Sequence, residues 1–166
     1  MRIKYENILS PYGPTDYWTA RKMTDLAKPR KVDVLADLGS GEGDIIFVAA
    51  EPRYKFAKVF GIEYDDGMIE RTRNELKTLG LENKVEIIDN DIFNVDLSEL
   101  NPRPTIFTLS FTWGGLMRLK PKLEKELEPR TRIVTNSREL TGWKTSRPPY
   151  TTWNGNTIFV YEIGKT

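Results

Sequence analysis

The 166-residue chain contains neither cysteine nor histidine. Without cysteine it has no disulfide framework, thiolate metal site or thiol nucleophile, and without histidine it lacks the commonest metal ligand and any imidazole base. We therefore expect no resident metal ion. Any acid–base chemistry falls to carboxylates, lysine, tyrosine or water.

The chain also lacks a dominant charge and a long hydrophobic run. Its 25 Lys+Arg against 24 Asp+Glu leave a formal net charge of +1, which creates no overall field to attract nucleic acid or an anionic membrane. No stretch approaches the roughly 20 apolar residues that span a bilayer, and the N-terminus has no signal-peptide pattern. We expect a cytoplasmic protein, with a monomer favoured, that neither enters a membrane nor uses nucleic acid as a partner.

Short β-branched runs alternate with segments of helical period from Val32 onward, which predicts an α/β fold with a mainly parallel sheet. A helix is predicted from Asp66 to Gly80, a residue that favours a helix end because it accepts positive φ. Asn154-Gly155 between two β-rich runs predicts an antiparallel hairpin with a two-residue turn. The predicted parallel strands are 32–37, 59–63, 85–89, 105–109 and 132–135.

Two predicted helix boundaries depend on proline. Pro14-Thr15-Asp16 predicts a helix start with Thr15 as the N-cap residue. Leucines at helical spacing between 116 and 127 predict a helix, but Pro121 has no N–H for a helix interior. We therefore predict a short turn followed by a second helix that begins near Pro121.

A glycine-rich turn follows the first predicted strand. Asp37 ends that strand, and Gly39-Ser40-Gly41 lets a ligand approach bare backbone and accept hydrogen bonds from its amides. A dinucleotide-binding turn requires a third glycine where this chain has Asp44. The pattern favours a ligand with a cationic amino-acid end over one with a pyrophosphate. Asp37 either contacts that ligand or holds the backbone amides of the turn.

The next two predicted strands also lead into acids. Glu63 lies where a carboxylate can accept hydrogen bonds from both hydroxyls of a ribose. Asp91 can accept from an exocyclic amine, and Ile92 can cover an adenine face. The simpler alternatives are that Glu63 caps the following helix and that Asp91 caps a loop turn. Asp65 and Asp89 are interpreted as surface charges.

Together these segments resemble class I S-adenosylmethionine-dependent methyltransferases, in which a glycine-rich motif, a ribose acid and an adenine-side acid follow in this order. The resemblance extends from about residue 12 to the end, and it implies a three-layer, Rossmann-like sandwich with a seven-stranded sheet. It implies one methyltransferase domain, 1–166, in which residues 1–30 cover the cofactor and 31–166 form the core. The implied cofactor is S-adenosyl-L-methionine, with S-adenosyl-L-homocysteine as product. The implied cofactor-binding residues are Tyr12, Pro14, Thr15, Asp37, Gly39, Ser40, Gly41, Glu63, Tyr64, Asn90, Asp91, Ile92 and Leu109.

A narrower similarity, to the small archaeal protein-lysine methyltransferases and their mitochondrial relatives, rests on residues 119–129, on 132–143 and on the entry segment 12–15. It implies methyl transfer to exposed lysine ε-amines of a protein substrate. The candidates to surround an ammonium group by cation–π attraction are Tyr12, Phe111 and Trp113, although these rings can equally pack over the sheet end. Ser110 and Glu139 are candidate polar partners.

Residues 109–115 and 135–138 depart from the pattern of that narrower family. Alternatives therefore stay open. The first keeps the fold and cofactor but has a small-molecule or RNA acceptor. The second is a non-catalytic cofactor-binding protein, and the third is a nicotinamide-dependent oxidoreductase.

Overall fold

The computed structural model describes residues 12–164, which form one sheet with helices on both faces. Residues 1–11 of the predicted cofactor-covering segment lie outside the described residues. The helices are α1 (Tyr17–Leu26), α2 (Asp44–Ala49), α3 (Asp66–Thr78) and α4 (Trp113–Glu126), with a short 3₁₀ turn at Leu97–Glu99. The strands are β1 (Val34–Leu38), β2 (Lys58–Glu63), β3 (Val85–Asp89), β4 (Ile106–Leu109), β5 (Arg132–Asn136), β6 (Tyr150–Thr151) and β7 (Thr157–Glu162).

The seven strands lie in the order β3-β2-β1-β4-β5-β7-β6. Strands β1 to β5 pair in parallel, whereas β7 is antiparallel to β5 and β6 is antiparallel to β7. The predicted α/β fold, its five parallel strands and its antiparallel end are confirmed. Parallel strands place all their carboxyl ends at one edge of the sheet, so the loops after β1, β2, β3 and β4 meet there.

The sheet divides the core into two buried layers, which confirms the three-layer architecture. On one face, side chains of α1, α2 and α3 pack with Leu35 of β1. On the other face, leucines of α4 pack with Ala36 and Leu38 of the same strand. Because both faces are covered, β1 is buried along its whole length. No helix within residues 12–164 has the length and apolar character needed to cross a membrane.

Helix α4 runs without a break through Pro121, so the predicted turn and second helix were wrong. Pro121 removes one helical hydrogen bond. The loss is outweighed because Leu116, Leu119 and Leu123, which are fully buried, lie on one side of the helix and pack on the sheet. Burial of that continuous face requires the helix to remain whole.

The N-cap of α1 is Asp16 rather than the predicted Thr15. The Asp16 carboxylate accepts a hydrogen bond from the backbone N–H of Thr19 at 3.0 Å. Thr15 instead donates its own backbone N–H to Asp44 Oδ2 at 2.9 Å. The correction matters for function, because it turns Thr15 towards the carboxyl edge of the sheet.

The predicted hairpin exists, but its loop has five residues instead of two. Thr151 pairs with Thr157, which leaves 152–156 as the connection. Gly155 has a φ of 87°, whereas Asn154 does not adopt the positive φ that a two-residue turn demands of both positions. Thr152 closes the loop, since its backbone N–H donates to Asn156 O at 2.7 Å and its hydroxyl accepts from Asn156 N at 3.0 Å.

Candidate functional site

An open cavity lies at the carboxyl edge of the sheet. The ends of β1, β2 and β4, the loop after β3 and the segment before α1 enclose it. The lining residues that the sequence singled out are Tyr12, Thr15, Asp37, Gly39, Ser40, Glu63, Tyr64, Asp91, Ile92, Ser110 and Phe111. The lining residues that it missed are Gly13, Asp44, Ile45, Ile62, Asp65 and Met68.

The glycine-rich turn forms the floor of this cavity. Gly39 and Gly41 have φ values of 73° and 54°, a region that side chains rarely adopt. A Cβ on Gly39 would come within 2.8 Å of the Phe111 ring, and one on Gly41 within 2.6 Å of the Tyr12 ring. Two aromatic rings therefore lie directly against the backbone of the turn, and only glycine allows this approach.

Ser40 is the residue of the turn with an unsatisfied polar group. It is only 5% exposed, and its hydroxyl has no hydrogen-bond partner within residues 12–164. A buried hydroxyl without a partner is costly. The Ser40 Oγ lies 2.7 Å from the position that a Cβ on Gly61 would take, so the hydroxyl faces strand β2.

Glu63 holds the turn in place. Its Oε2 accepts from Gly41 N at 2.8 Å, and its Oε1 accepts from Tyr64 N and Asp65 N at 2.9 and 3.0 Å. The sequence offered Asp37 as a residue that holds the turn amides, and that alternative was wrong, because Gly41 N donates to Glu63 and the amides of Gly39 and Ser40 donate to Ile62 O at 2.8 and 3.0 Å. A carboxylate has about four lone-pair sites, so as arranged here Glu63 keeps about one for a ligand.

Asp37 lies below the turn and is buried. Its Oδ1 accepts a hydrogen bond from the Thr108 hydroxyl at 2.7 Å. Burial raises the pKa of the Asp37 carboxyl well above its ordinary value, and the carboxylates of Glu63 and Asp44 add to the rise, while the Thr108 hydrogen bond opposes it. The cavity floor therefore holds a carboxyl group whose negative charge is disfavoured by its surroundings.

The loop after β3 brings Asp91 and Ile92 to the cavity, and both are buried. Asp91 Oδ1 accepts from Phe93 N at 2.9 Å, which makes it a loop-turn residue as well as a lining residue. Asn90 does not line the cavity, and its side chain accepts from Asp91 N at 2.9 Å. Asp65, interpreted from the sequence as a surface charge, is the N-cap of α3 and also lines the cavity.

The segment before α1 covers one side of the cavity through Tyr12, Gly13 and Thr15. The backbone bond from Thr15 to Asp44 ties this segment to the start of α2. Partial burial raises the pKa of the Tyr12 phenol, and Asp44 and Glu42 add to the rise. Pro14 is exposed and does not line the cavity, in contrast to the sequence prediction.

On the acceptor side, Ser110 and Phe111 follow β4 and line the cavity. The Ser110 hydroxyl lies 3.5 Å from Thr15 Oγ1 and accepts from Asn136 Nδ2 at 3.4 Å. Trp113, which starts α4, lies outside the lining, is 53% exposed and donates its Nε1–H to Thr141 Oγ1. Three further predicted residues do not line the cavity, namely Gly41, Leu109 and Glu139. Gly41 acts through its backbone bond to Glu63, and Leu109 is fully buried.

The charge of the cavity has one sign in the part of the chain that is described. Its lining includes the carboxyl groups of Asp37, Asp44, Glu63, Asp65 and Asp91, but no lysine or arginine between residues 12 and 164. Such a lining attracts a cation and repels phosphate. A cavity lined by five carboxyl groups, with a glycine turn at its floor, fits a cofactor that carries a sulfonium and an ammonium group.

The family profile of the ANTKMT methyltransferase domain matches residues 37–147, a span that runs from the glycine turn through the acceptor side. The chain belongs to this methyltransferase family. It is an S-adenosylmethionine-dependent methyltransferase, and its cofactor is S-adenosyl-L-methionine.

Two relatives resemble the chain over nearly its full length. A protein-lysine N-methyltransferase of Saccharolobus islandicus is 34% identical over 158 residues, covering 93% of this chain and 94% of the relative. The crystal structure of an RNA methyltransferase from Salinibacter ruber, in complex with S-adenosyl-L-homocysteine, is 30% identical with a TM-score of 0.81, covering 93% and 95% of the two chains. TrmN from Thermus thermophilus, at 15% identity and a TM-score of 0.72, covers 90% of this chain and 49% of its own, and shows the fold alone.

Proposed function

We propose that this methyltransferase transfers methyl groups to the ε-amines of lysine side chains in proteins. The observation that carries the proposal is the acidic cavity with two aromatic rings, those of Tyr12 and Phe111, against its glycine turn. A lysine side chain has the charge that such a lining attracts. The similarity to the Saccharolobus islandicus protein-lysine N-methyltransferase supports the same acceptor.

The cofactor supplies a methyl group that is already activated by its sulfonium, so the protein has to bind, orient and exclude water. We assign the amino-acid end of the cofactor to the glycine turn with Asp37 and Ser40, and the adenine end to Asp91 and Ile92. Glu63 contributes one remaining lone pair to the ribose. These assignments keep the predicted order of contacts but reduce the two-hydroxyl contact of Glu63 to a single one.

A lysine amine must lose a proton before its nitrogen can attack, and the chain has no histidine to take it. The acidic lining by itself favours the charged ammonium. Two effects act in the opposite sense: the rings of Tyr12 and Phe111 desolvate the amine, and the positive charge of the cofactor disfavours a second cation beside it. The amine therefore becomes neutral beside the bound cofactor, with Ser110 as an acceptor for one of its N–H groups and water as the exit for the proton.

The test is incubation of the enzyme with methyl-labelled cofactor and, separately, the protein, RNA and metabolite fractions of a lysate. We expect label in the protein fraction, and peptide mass mapping should place it on lysine. Label confined to RNA or metabolites would contradict the lysine acceptor. Tight cofactor binding with no label in any fraction would support the non-catalytic alternative.

An RNA acceptor is the second candidate, because the Salinibacter ruber relative is described as an RNA methyltransferase. The lining argues against it, since the phosphates that flank a target base would approach five carboxyl groups with no described basic residue among them. The cytoplasmic location and the monomeric state stay predictions. Cell fractionation and light scattering after size-exclusion chromatography test them.

A further inference from the structure

Four large aromatic side chains are exposed on one side of the molecule, two on α1 and two on the C-terminal hairpin. They are Tyr17, Trp18, Tyr150 and Trp153, with exposed fractions of 46, 57, 42 and 84%, and we call them the aromatic face. The rings of Tyr17 and Trp18 meet edge to face, with their centres 5.2 Å apart. Grouped exposed apolar side chains mark binding surfaces, and tryptophan and tyrosine are the side chains that most often anchor protein interfaces.

Contacts between α1 and the hairpin hold the aromatic face together. The Lys22 ammonium lies 4.1 Å from the centre of the Tyr150 ring. In the hairpin loop, Asn154 Nδ2 donates a hydrogen bond to Asp16 Oδ2, at the start of α1, at 2.8 Å. Two elements that are far apart in the sequence therefore present their rings as one surface.

A chain of hydrogen bonds connects this surface to the acceptor side of the cavity. The Ser137 hydroxyl lies 3.0 Å from Asn156 Oδ1 in the hairpin loop and 3.1 Å from Asn136 Oδ1. Asn136 ends β5, and its Nδ2 donates to the Ser110 hydroxyl, which lines the cavity, at 3.4 Å. A substrate whose lysine lies beside Ser110 is therefore next to the aromatic face.

The charge on the aromatic face is opposite in sign to that of the cavity. Lys22 makes no ion pair with a carboxylate of residues 12–164. Arg21 lies 5.3 Å from the centre of the Trp18 ring and has Asp25 as an acidic neighbour, so the uncompensated charge of this surface is that of Lys22. A ligand complementary to both regions carries a cation for the acidic cavity and an anion for Lys22.

We propose that the aromatic face is the docking surface for the segment of a protein substrate that flanks the target lysine. The inference rests on the proposed lysine acceptor and states how such a substrate is held. Strand β6, which contains Tyr150, ends the sheet, so an extended protein segment can lie along it. One uncompensated cation is too little for a nucleic-acid backbone, which needs several to neutralise its phosphates.

The position of Lys22 predicts a sequence preference in the substrate. Lys22 follows Thr15, a lining residue of the cavity, along the start of α1. At the helical rise of about 1.5 Å per residue the two are roughly 10 Å apart, a distance that an extended chain covers in about three residues. We therefore expect a preference for apolar side chains beside the lysine and for an acidic side chain about three residues from it.

The test is steady-state methylation kinetics with three acceptors at saturating cofactor. The first is a peptide of about 15 residues with one central lysine, leucines beside it and a glutamate three residues away on each side. The second has glutamine in place of glutamate, and the third is Nα-acetyl-lysine amide, which is too small to reach the aromatic face. We expect the glutamate peptide to have a KM about two- to fivefold below that of the glutamine peptide.

The variants separate docking from chemistry. Trp18→Ala and Trp153→Ala should each raise the KM for the glutamate peptide about tenfold, with kcat unchanged and with no effect on Nα-acetyl-lysine amide. Lys22→Gln should remove the preference for glutamate over glutamine. Leu79→Ala, at a position 55% exposed and outside the aromatic face, is the control and should change none of these quantities.

The proposal is overturned if neither tryptophan variant changes the KM for the peptide, or if both impair Nα-acetyl-lysine amide equally, which would indicate a structural role. Two other occupants would also overturn it. A labelled single-stranded RNA that binds the wild type but not Trp18→Ala would identify a nucleic-acid surface, and a dimer that Trp153→Ala dissociates in light scattering would identify a contact between two copies. If the wild type methylates lysine in none of the acceptors or lysate proteins, the proposed function fails and this inference with it, whereas lysine methylation with an unchanged KM in the variants overturns this inference alone.

Discussion

Glu63→Gln is the substitution that most directly tests how the cofactor turn is held. The Glu63 carboxylate accepts three backbone N–H groups at 2.8–3.0 Å and is 7% exposed. A glutamine keeps one carbonyl oxygen, so either the Gly41 amide or the pair from Tyr64 and Asp65 faces an NH₂ group instead of an acceptor. Loss of a charge-assisted hydrogen bond costs about 1.5–3 kcal/mol, and the amide left buried adds to this.

We therefore expect Glu63→Gln to lose about 2–4 kcal/mol in free energy of unfolding, which for a chain of this length lowers Tm by roughly 4–16 °C. Cofactor affinity should fall as well, because Gly41 is no longer fixed. Urea unfolding and calorimetric titration measure the two effects. The matched control is Glu86→Gln in the neighbouring strand, whose exposed side chain makes a 3.7 Å ion pair with Lys58. If Glu63→Gln were as stable as this control, the carboxylate would not hold the turn and our reasoning would be wrong.

Three further predictions address the core, the turn and pH. Leu119→Ala should cost about 2–5 kcal/mol in free energy of unfolding, because its side chain is fully buried between α4 and the sheet. Leu79→Ala, at a position 55% exposed, should cost far less. Equal costs in urea unfolding would contradict an unbroken helix packed on the sheet. Gly39→Ala should weaken cofactor binding by about 1–2 kcal/mol in a folded protein, because the new Cβ meets the Phe111 ring at 2.8 Å and the φ of 73° is strained. Unchanged affinity by calorimetry would refute the close approach. Asp37→Asn should raise the Tm of the ligand-free protein at pH 7. Burial raises the pKa of Asp37 in the folded state, so the wild-type protein loses stability as the pH rises above the pKa of this group in the unfolded chain, and asparagine removes that loss. The gain in Tm should vanish below about pH 4, and a lower Tm at pH 7 would contradict the assignment.

Sequence reasoning predicted the parallel strands well because β1, β2, β4 and β5 are mostly apolar and buried, and the edge strand β3 alternates buried and exposed residues over its first three positions, which leaves a strong local signal. The predictions were wrong where tertiary contacts determine the local structure, as in the helix at Pro121 and the loop at 152–156. Pro121 looks like a helix break until the buried leucines on either side of it are seen to share one sheet face. Asn154-Gly155 has the composition of a two-residue turn, but Thr152 closes a longer loop through contacts to Asn156.

The cavity residues likewise divide into those that a local sequence pattern marks and those that only the folded structure brings to the cavity. Asp37, Glu63 and Asp91 could be found because each lies within two residues of the carboxyl end of a parallel strand, and those ends meet at one edge of the sheet. Asp44 and Met68 were missed because they lie in the first turns of α2 and α3, and no strand pattern marks them. Asp44 had been noticed only as the residue that replaces a third glycine. Its position at the start of α2 makes it both a lining residue and the acceptor for Thr15.

The near-neutral net charge of the chain hides the feature that its chemistry depends on most. A formal charge of +1 for the whole chain gives no reason to expect attraction of a cation, yet five carboxyl groups line the cavity with no basic residue from the described chain among them. Local charge, not the sum, determines which ligand enters. For the proposed lysine acceptor, the absence of histidine is consistent with two effects that lower the pKa of the amine, namely the positive charge of the cofactor and desolvation by the rings of Tyr12 and Phe111.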